Sequence, residues 1–233
     1  MVTAGRTLAA QVEEGGDALS EPVIRTEDLV KFYGRHEALK GLDLEVGQGE
    51  VFGFLGPNGA GKTTTIRLLL DLLRPTRGQV RVLGSDPRAG GARLRRRLSY
   101  LPGELRLEGR QTAGELLTFL GNLRGGVDPG RIRRLAGRLE LDLGRPIGGL
   151  SKGNKQKVGL IQAFMGDPEL LLLDEPSSGL DPLLQQEFLA MVREVRAQGR
   201  TVFMSSHVLA EVEHVADRVG ILRAGRLVAT EAI

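Results

Sequence analysis

The run GPNGAGKTT, from Gly56 to Thr64, sets Gly56, Gly61, Lys62 and Thr63 in the spacing G-x-x-x-x-G-K-[ST]. A polyphosphate asks for these residue types. Glycines spread through Gly56, Pro57, Asn58, Gly59, Ala60 and Gly61 let backbone N–H groups wrap an anion without Cβ obstruction. A helix opening at Gly61 aims its positive end at the phosphates. Lys62 is expected to reach β- and γ-phosphate oxygens and the Thr63 hydroxyl to ligate Mg2+, with Thr64 completing the loop. The same letters also suit a glycine turn that only caps a helix. The apolar strand before them and the helix after them favour the phosphate loop.

Such a loop works with an apolar strand that ends in an acid. LLLLDE supplies one: Asp174 is placed to hold Mg2+ through water, and Glu175 follows directly. Glu175 is the natural general base to polarise an attacking water. An isolated acid pair at a strand end also fits a solvated loop. His207, after TVFMSS, falls where a γ-phosphate sensor would lie, although a lone histidine is more often structural. A further polar run, LSKGNKQK from Leu150 to Lys157, reads as a helix entrance. Ser151 caps it, and its free N–H groups favour an anion.

The elements around these residues alternate. VIRTEDLVKFY and GLDLEV predict two antiparallel strands joined near Gly34. GEVFGFLG predicts a buried strand, KTTTIRLLLDLL a helix, QVRVLG a strand, and RRRLSYLPGE a strand ending at Pro102. From about Thr112 to Leu143 the pattern is helical, interrupted at GGVDPG. Strands return in ELLLLDE, RTVFMSS, RVGILRAG and RLVAT, with helices around Pro182–Gln198 and Val208–Ala216. Strands alternating with helices predict an α/β sheet, mainly parallel.

Composition sets outer limits. Among 233 residues, 41% are hydrophobic and 26% charged, as in an ordinary globular protein with a sizeable core. A net charge of +3 is too small to argue for an anionic macromolecule. Absence of cysteine excludes disulfides, thiolate chemistry and zinc-ribbon sites. No apolar run reaches the roughly 18–20 residues that span a bilayer. Residues 1–20 carry Glu13, Glu14 and Asp17, lack the apolar core of a secretory signal, and read as a disordered leader. The reading is of a soluble, cytoplasmic protein. The basic run RLRRRL, Arg93 to Leu98, has no interleaved aromatics for stacking bases and reads as a solvated helix face.

The phosphate loop, LSKGN, LLLLDE, SSGLD and SSH, in this order, resemble the ATPase domains of ABC transporters over nearly the whole chain from Val23. GPNGAGKTTTIRLLLDLLRPTRG and SSHVLAEVEHVADRVGILRAGRLV resemble the ATP-binding subunits of bacterial drug, antibiotic or lipid exporters of the ABC-2 type. The resemblance implies an α/β fold, a P-loop NTPase of ABC type. Its mainly parallel RecA-like core sheet would carry N-terminal antiparallel β strands and a helical subdomain. The ATPase domain would span 21–233, with the helical subdomain inserted at about 105–160. Tyr33 would stack on adenine, although a strand-edge aromatic looks the same. Ser151 and Gly153 would contact the γ-phosphate of ATP held by the opposite subunit, and Asp181 would cross the dimer interface. Glu175 would be the catalytic base and His207 the switch histidine, acting with Lys62. ATP and Mg2+ are the implied cofactors. The implied partners are a second nucleotide-binding domain, as homodimer or heterodimer, and an integral membrane permease; no nucleic acid is expected. That places the chain peripherally at the cytoplasmic face of the membrane.

Two motifs depart from the family pattern. Lys152 and Asn154 stand where LSGGQ has glycine and glutamine. In SYLPGELRL, Gly103 takes the place of a glutamine that senses Mg2+ and couples to the membrane partner, and Glu104 is expected to take part of that role. Many such subunits continue past GRLVATEAI, so an extension beyond Ile233 is expected. Alternatives remain an importer ATPase, whose motifs are the same, a non-transport ABC ATPase acting on nucleic acid or ribosomes, and an inactive regulatory domain. Glu175 and His207 argue against the last.

Overall fold

The structure is a computed structural model and describes residues 21–233. The leader expected at 1–20 lies outside the described residues. Strands β1 (Ile24–Tyr33) and β2 (His36–Val46) form the expected antiparallel pair around the Gly34 turn. On the other side of β1 lies β4 (Arg77–Val82), also antiparallel, making a three-stranded sheet of order β2-β1-β4.

The second sheet is built from β3 (Val51–Leu55), β5 (Leu98–Leu101), β6 (Leu170–Asp174), β7 (Thr201–Ser206), β8 (Arg218–Arg223) and β9 (Arg226–Ala232). Its order is β5-β6-β7-β3-β8-β9, parallel except where β9 turns back on β8. Parallel strands need crossovers, and the helices supply them. They are α1 (Lys62–Leu69), α2 (Pro87–Arg96), α3 (Ala113–Leu123), α4 (Pro129–Arg138), α5 (Lys152–Phe164), α6 (Pro182–Ala197) and α7 (Leu209–Glu213). This is the expected mainly parallel α/β core sheet with N-terminal antiparallel strands.

Why these strands are mostly apolar follows from their place between two cores. Leu171, Leu173, Val202 and Met204 face one core, shared with α3 to α6. Leu170, Leu172, Phe203, Phe52 and Phe54 face the other, shared with α1 and the three-stranded sheet. Alternate residues point to opposite faces and both faces are covered, so the strand interiors are mostly apolar, and the buried polar side chains within them, such as Ser205, are hydrogen-bonded. Phe52 and Phe203 stack at 5.8 Å between centroids, and Phe54 leans on Phe203 at 5.2 Å. Burying each ring stabilises the fold by about 1.5–3 kcal/mol.

Three helices, α3, α4 and α5, lie between β5 and β6 with no strand among them. Their starts are written in local chemistry. Thr112 and Glu115 form a reciprocal capping box on α3, and Asp128 with Pro129 opens α4. Arginines bind this helical segment to the rest. Arg138 on α4 makes a two-pronged pair with Glu194 at 2.7 Å and a third bond to Glu187 at 2.5 Å, both on α6. Arg131 and Arg200 share Asp167, each at 2.6 Å.

Two helical expectations need correction. The helix after the phosphate loop stops at Leu69, not Leu73, because Asp71 turns to φ +56°. The last helix covers Leu209–Glu213 rather than Val208–Ala216. Arg93, Arg95 and Arg96 sit exposed on a helix, as expected; a short helical stretch from Pro87 precedes them across a kink at Gly91, whose φ of +50° and ψ of −134° break the helix.

Candidate active site

Three strand ends define the site. Leu55 lies beside Ser206, and Asp174 lies beside Ser205. Whatever follows β3, β6 and β7 therefore leaves the sheet along one edge, where ligands bind in parallel α/β sheets. β3 runs into the 56–61 loop, β6 into Glu175, and β7 into His207.

Backbone bonds pin the loop. Gly56 N–H donates to Ser206 O at 3.3 Å, Ala60 N–H to Pro57 O at 3.1 Å, and Gly225 N–H to Ala60 O at 2.9 Å. Among the described residues, the N–H groups of Asn58, Gly59 and Gly61 find no partner, and no side chain caps α1. A positive helix end with open donors is the chemistry of an anion site. Gly61 is at φ +114°, and a Cβ there would meet Leu39 Cδ2 at 2.7 Å and Ala38 O at 2.9 Å. Only glycine fits.

Lys62 is buried, with Nζ donating to Gly56 O at 2.5 Å. The same nitrogen is 3.1 Å from Glu175 Oε1, an ion pair without hydrogen-bond angles, so Oε1 is buried with no hydrogen-bond partner. The other oxygen, Oε2, is 2.7 Å from His207 Nδ1. One carboxylate thus lies between an ammonium and an imidazole. Its residue is at φ +48°, a left-handed conformation that costs a non-glycine residue of order 1–3 kcal/mol and tends to persist at functional sites.

Asp174 is 1% exposed. Its Oδ2 accepts from Thr63 Oγ1 at 2.7 Å and its Oδ1 from Ser205 Oγ at 2.6 Å. Asp174 and burial together push the Tyr100 phenol on β5 up, burial being the larger cause, while Arg67 opposes them. Thr63 Oγ1 and Asp174 Oδ2 are hard oxygen donors of the kind Mg2+ takes. Among the described residues no cluster of three His, Cys, Asp or Glu could hold a metal unaided. That suits an ion bringing most of its ligands as water and phosphate oxygens. The residues present fit Mg2+.

A cleft of about 260 Å3 opens over the loop, lined by Tyr33, His36, Ala38, residues 57–64 and Glu175. The Tyr33 ring is exposed, with Lys31 Nζ 5.5 Å from its centroid and its hydroxyl 3.4 Å from Thr64 Oγ1. The structure therefore gathers Tyr33, Gly56 to Thr64, Asp174, Glu175 and His207. Ser151, Gly153 and Asp181 do not line this cleft. Ser151 caps α5, accepting from Asn154 N–H at 3.3 Å. A Cβ on Gly153 would meet Gly179 O at 2.8 Å, so the start of α5 packs on the loop leading to Asp181. Asp181 in turn caps α6 through the N–H groups of Leu183 and Leu184.

Sequence reading passed over two residues here. Ser205 holds Asp174, and buried Gln156 on α5 donates to Pro176 O at 2.9 Å, next to Glu175. Only the strand register, or the α5 rotation, reveals either contact. At Gly103, a Cβ would lie 3.2 Å from Asp174 Oδ2, so this position faces the site without a side chain. Glu104 points elsewhere, pairing with Arg106 at 3.1 Å at an exposed position.

Comparison with known proteins agrees with this geometry. Residues 39–178 match the family model described as "ABC transporter". The chain is 36% identical to the bacitracin transport ATP-binding protein of Bacillus licheniformis, covering 88% of this chain and 68% of that protein. It is also 36% identical to a fluoroquinolones export ATP-binding protein of Mycobacterium tuberculosis, covering 90% and 71%. It thus spans about two thirds of the length of these relatives. A structure of an ATP binding subunit of an ABC transporter superposes with a TM-score of 0.82 at 32% identity, covering 91% of this chain and 90% of that one. A dimeric ATP-binding cassette bound to ADP and Pi superposes at 0.79 and 22% identity, a likeness of fold alone, covering 90% and 98%. The chain belongs to the ABC transporter family as an ATP-binding subunit, an ATPase that energises transport.

Proposed function

We propose that this subunit powers export of a drug-, antibiotic- or lipid-like substrate through a separate membrane permease, as part of a head-to-tail dimer of nucleotide-binding domains. The observation that carries the catalytic part is the Glu175 carboxylate lying between Lys62 and His207 at the mouth of the phosphate cleft. The export direction rests on relatives whose names specify bacitracin transport and fluoroquinolone export. No helix among the described residues is long and apolar enough to cross a membrane, and this reading assigns the pathway to the permease.

In this reading ATP enters over Tyr33 and draws Lys62 Nζ from Glu175 to β- and γ-phosphate oxygens. Glu175 Oε1, left without its cation, accepts a hydrogen bond from the attacking water and takes its proton as the water oxygen bonds to the γ-phosphorus. The bond from that phosphorus to the bridging oxygen breaks, leaving ADP and phosphate. His207 Nδ1 fixes Oε2 so that the base stays aimed. Thr63 Oγ1 and, through water, Asp174 would hold Mg2+, which when bound would supply positive charge to the phosphate oxygens. Ser151, Gly153 and Asp181 lie outside the chain's own cleft because they serve the ATP of the partner subunit. Closure of the pair excludes water and completes both sites.

Phosphate release by the purified chain tests this. Glu175→Gln should lower turnover at least about 100-fold and leave an ATP-bound dimer visible by size-exclusion chromatography. Wild-type turnover in that variant would remove Glu175 from the base role.

A further inference from the structure

Ser205 lies inside β7 and is 0% exposed, yet its hydroxyl does two things at the site. Oγ donates to Asp174 Oδ1 at 2.6 Å and accepts from Glu175 N–H at 3.1 Å. The same Glu175 N–H is 3.2 Å from the Ser205 carbonyl, so the peptide that carries the base is held by one residue through two oxygens. A serine hydroxyl has one proton to give and lone pairs to receive. Both capacities are used here, one on each acid.

We propose that Ser205 is a positioning residue for both acids, fixing which Asp174 oxygen faces Thr63 and anchoring the backbone turn that aims Glu175. This rests on the roles assigned above to Asp174 and Glu175. A carboxylate torsion is broad and two-fold, so without an anchor the two oxygens of Asp174 exchange places. Ser205 takes Oδ1 and leaves Oδ2 for the metal side, where Thr63 Oγ1 already sits at 2.7 Å. Ser205 and Thr63 are the only side chains hydrogen-bonded to Asp174 among the described residues. Gly103 offers none on the remaining flank. At Glu175 the left-handed φ of +48° is a conformation that relaxes unless surrounding bonds hold it. The doubly received N–H is such a bond.

The test uses Ser205→Ala, Ser205→Thr and Asp174→Asn in the full chain. The dissociation constant of a fluorescent ATP analogue is measured in EDTA and in Mg2+, together with kcat and KM for ATP. The EDTA value should match wild type in both Ser205 variants and reports an intact fold; Asp174→Asn, which removes a charge beside the phosphates, is judged by the ratio of its own two constants. Loss of a partner behind a metal-side ligand typically costs about 10–100-fold in metal affinity or activity. Ser205→Ala should therefore lose most of the Mg2+-dependent tightening, and its kcat should fall at least about tenfold with KM little changed. Ser205→Thr, which keeps the hydroxyl, should recover both. If Asp174→Asn loses the Mg2+ effect while Ser205→Ala keeps it at full kcat, or if threonine rescues nothing, the inference is wrong and the metal role of Asp174 stands. If Asp174→Asn itself keeps the full effect, that role falls and this inference with it. Should Ser205→Ala fail to fold, Ser205→Cys, with a weaker donor of similar size, takes its place and is expected to fall between alanine and threonine.

Discussion

His207 Nδ1 stands 2.7 Å from Glu175 Oε2, across the ends of two adjacent parallel strands, β7 and β6. The contact takes up the carboxylate oxygen that Lys62 does not approach. Without it the Glu175 side chain would be free to follow Lys62. His207→Ala should therefore lower kcat by up to roughly 100-fold, the usual cost of misplacing a reacting group by about 1 Å. Nucleotide affinity should hold within a few-fold. Steady-state phosphate release and equilibrium binding measure the two separately, and a loss confined to binding would contradict the assignment.

Gly153 approaches Gly179 O so closely that an added methyl carbon would sit 2.8 Å from it. Gly153→Ala must push the start of α5 away from the loop that leads to Asp181. Overpacking against backbone costs about 1–3 kcal/mol. ATPase activity should fall while the chain's own cleft, built from other residues, still binds nucleotide. Binding that disappears along with activity would show that the two regions are not separable.

Arg138 joins α4 to α6 through Glu194 and Glu187, and those bonds, Glu194 first, hold its guanidinium above the usual range against the cost of burial. Its side chain is about one-third exposed, which weakens the pairing relative to a buried one. Arg138→Met should destabilise the fold by about 1 kcal/mol and lower Tm by about 2–4 °C. Added salt should shrink the difference between variant and wild type, as read by thermal melting.

Acid should destabilise the same seams. Hydrogen bonds from Arg131, Arg97 and Arg138 hold Asp167, Glu169 and Glu194 below their ordinary values of 3.8, 4.5 and 4.5. For a carboxylate depressed in the folded state, the stabilisation is present above the unfolded value and lost as pH falls through the folded one. Stability should therefore be level down to about pH 5 with respect to these groups and decline below about 4.5. Denaturant midpoints across that range measure it, and midpoints that rise on acidification would refute the sign.

Glu104 pairs with Arg106 at the surface, away from the cleft. Glu104→Ala should leave turnover of the isolated chain within about twofold, as expected for an exposed ion pair. A coupling role would appear as reduced transport in membranes containing the permease. Unchanged transport would leave Glu104 no such role.

The strands were legible because a sheet covered on both faces favours apolar runs, as in LLLL before Asp174. The phosphate loop was legible because few sequences satisfy its spacing. Helix ends were less so. Asp71 stops α1 by a backbone torsion that apolar spacing does not record, and α2 starts at Pro87, before the kink at Gly91. Ser205 escaped notice because its partners are 31 and 30 residues away in the chain and meet it only through the register of β6 against β7.

Local letters determined which groups exist: an anion loop with open donors, an acid pair at a strand end, and a capped helix at Ser151. These depend on backbone conformation and neighbours a few residues off, which sequence carries directly. Tertiary structure decided which groups meet. It placed Glu175 between Lys62 and His207, put Ser205 under both acids, turned Glu104 outward, and left Ser151 and Asp181 outside the cleft. Such meetings follow from strand order and register. Both are set by how the whole core packs, and no single segment encodes that.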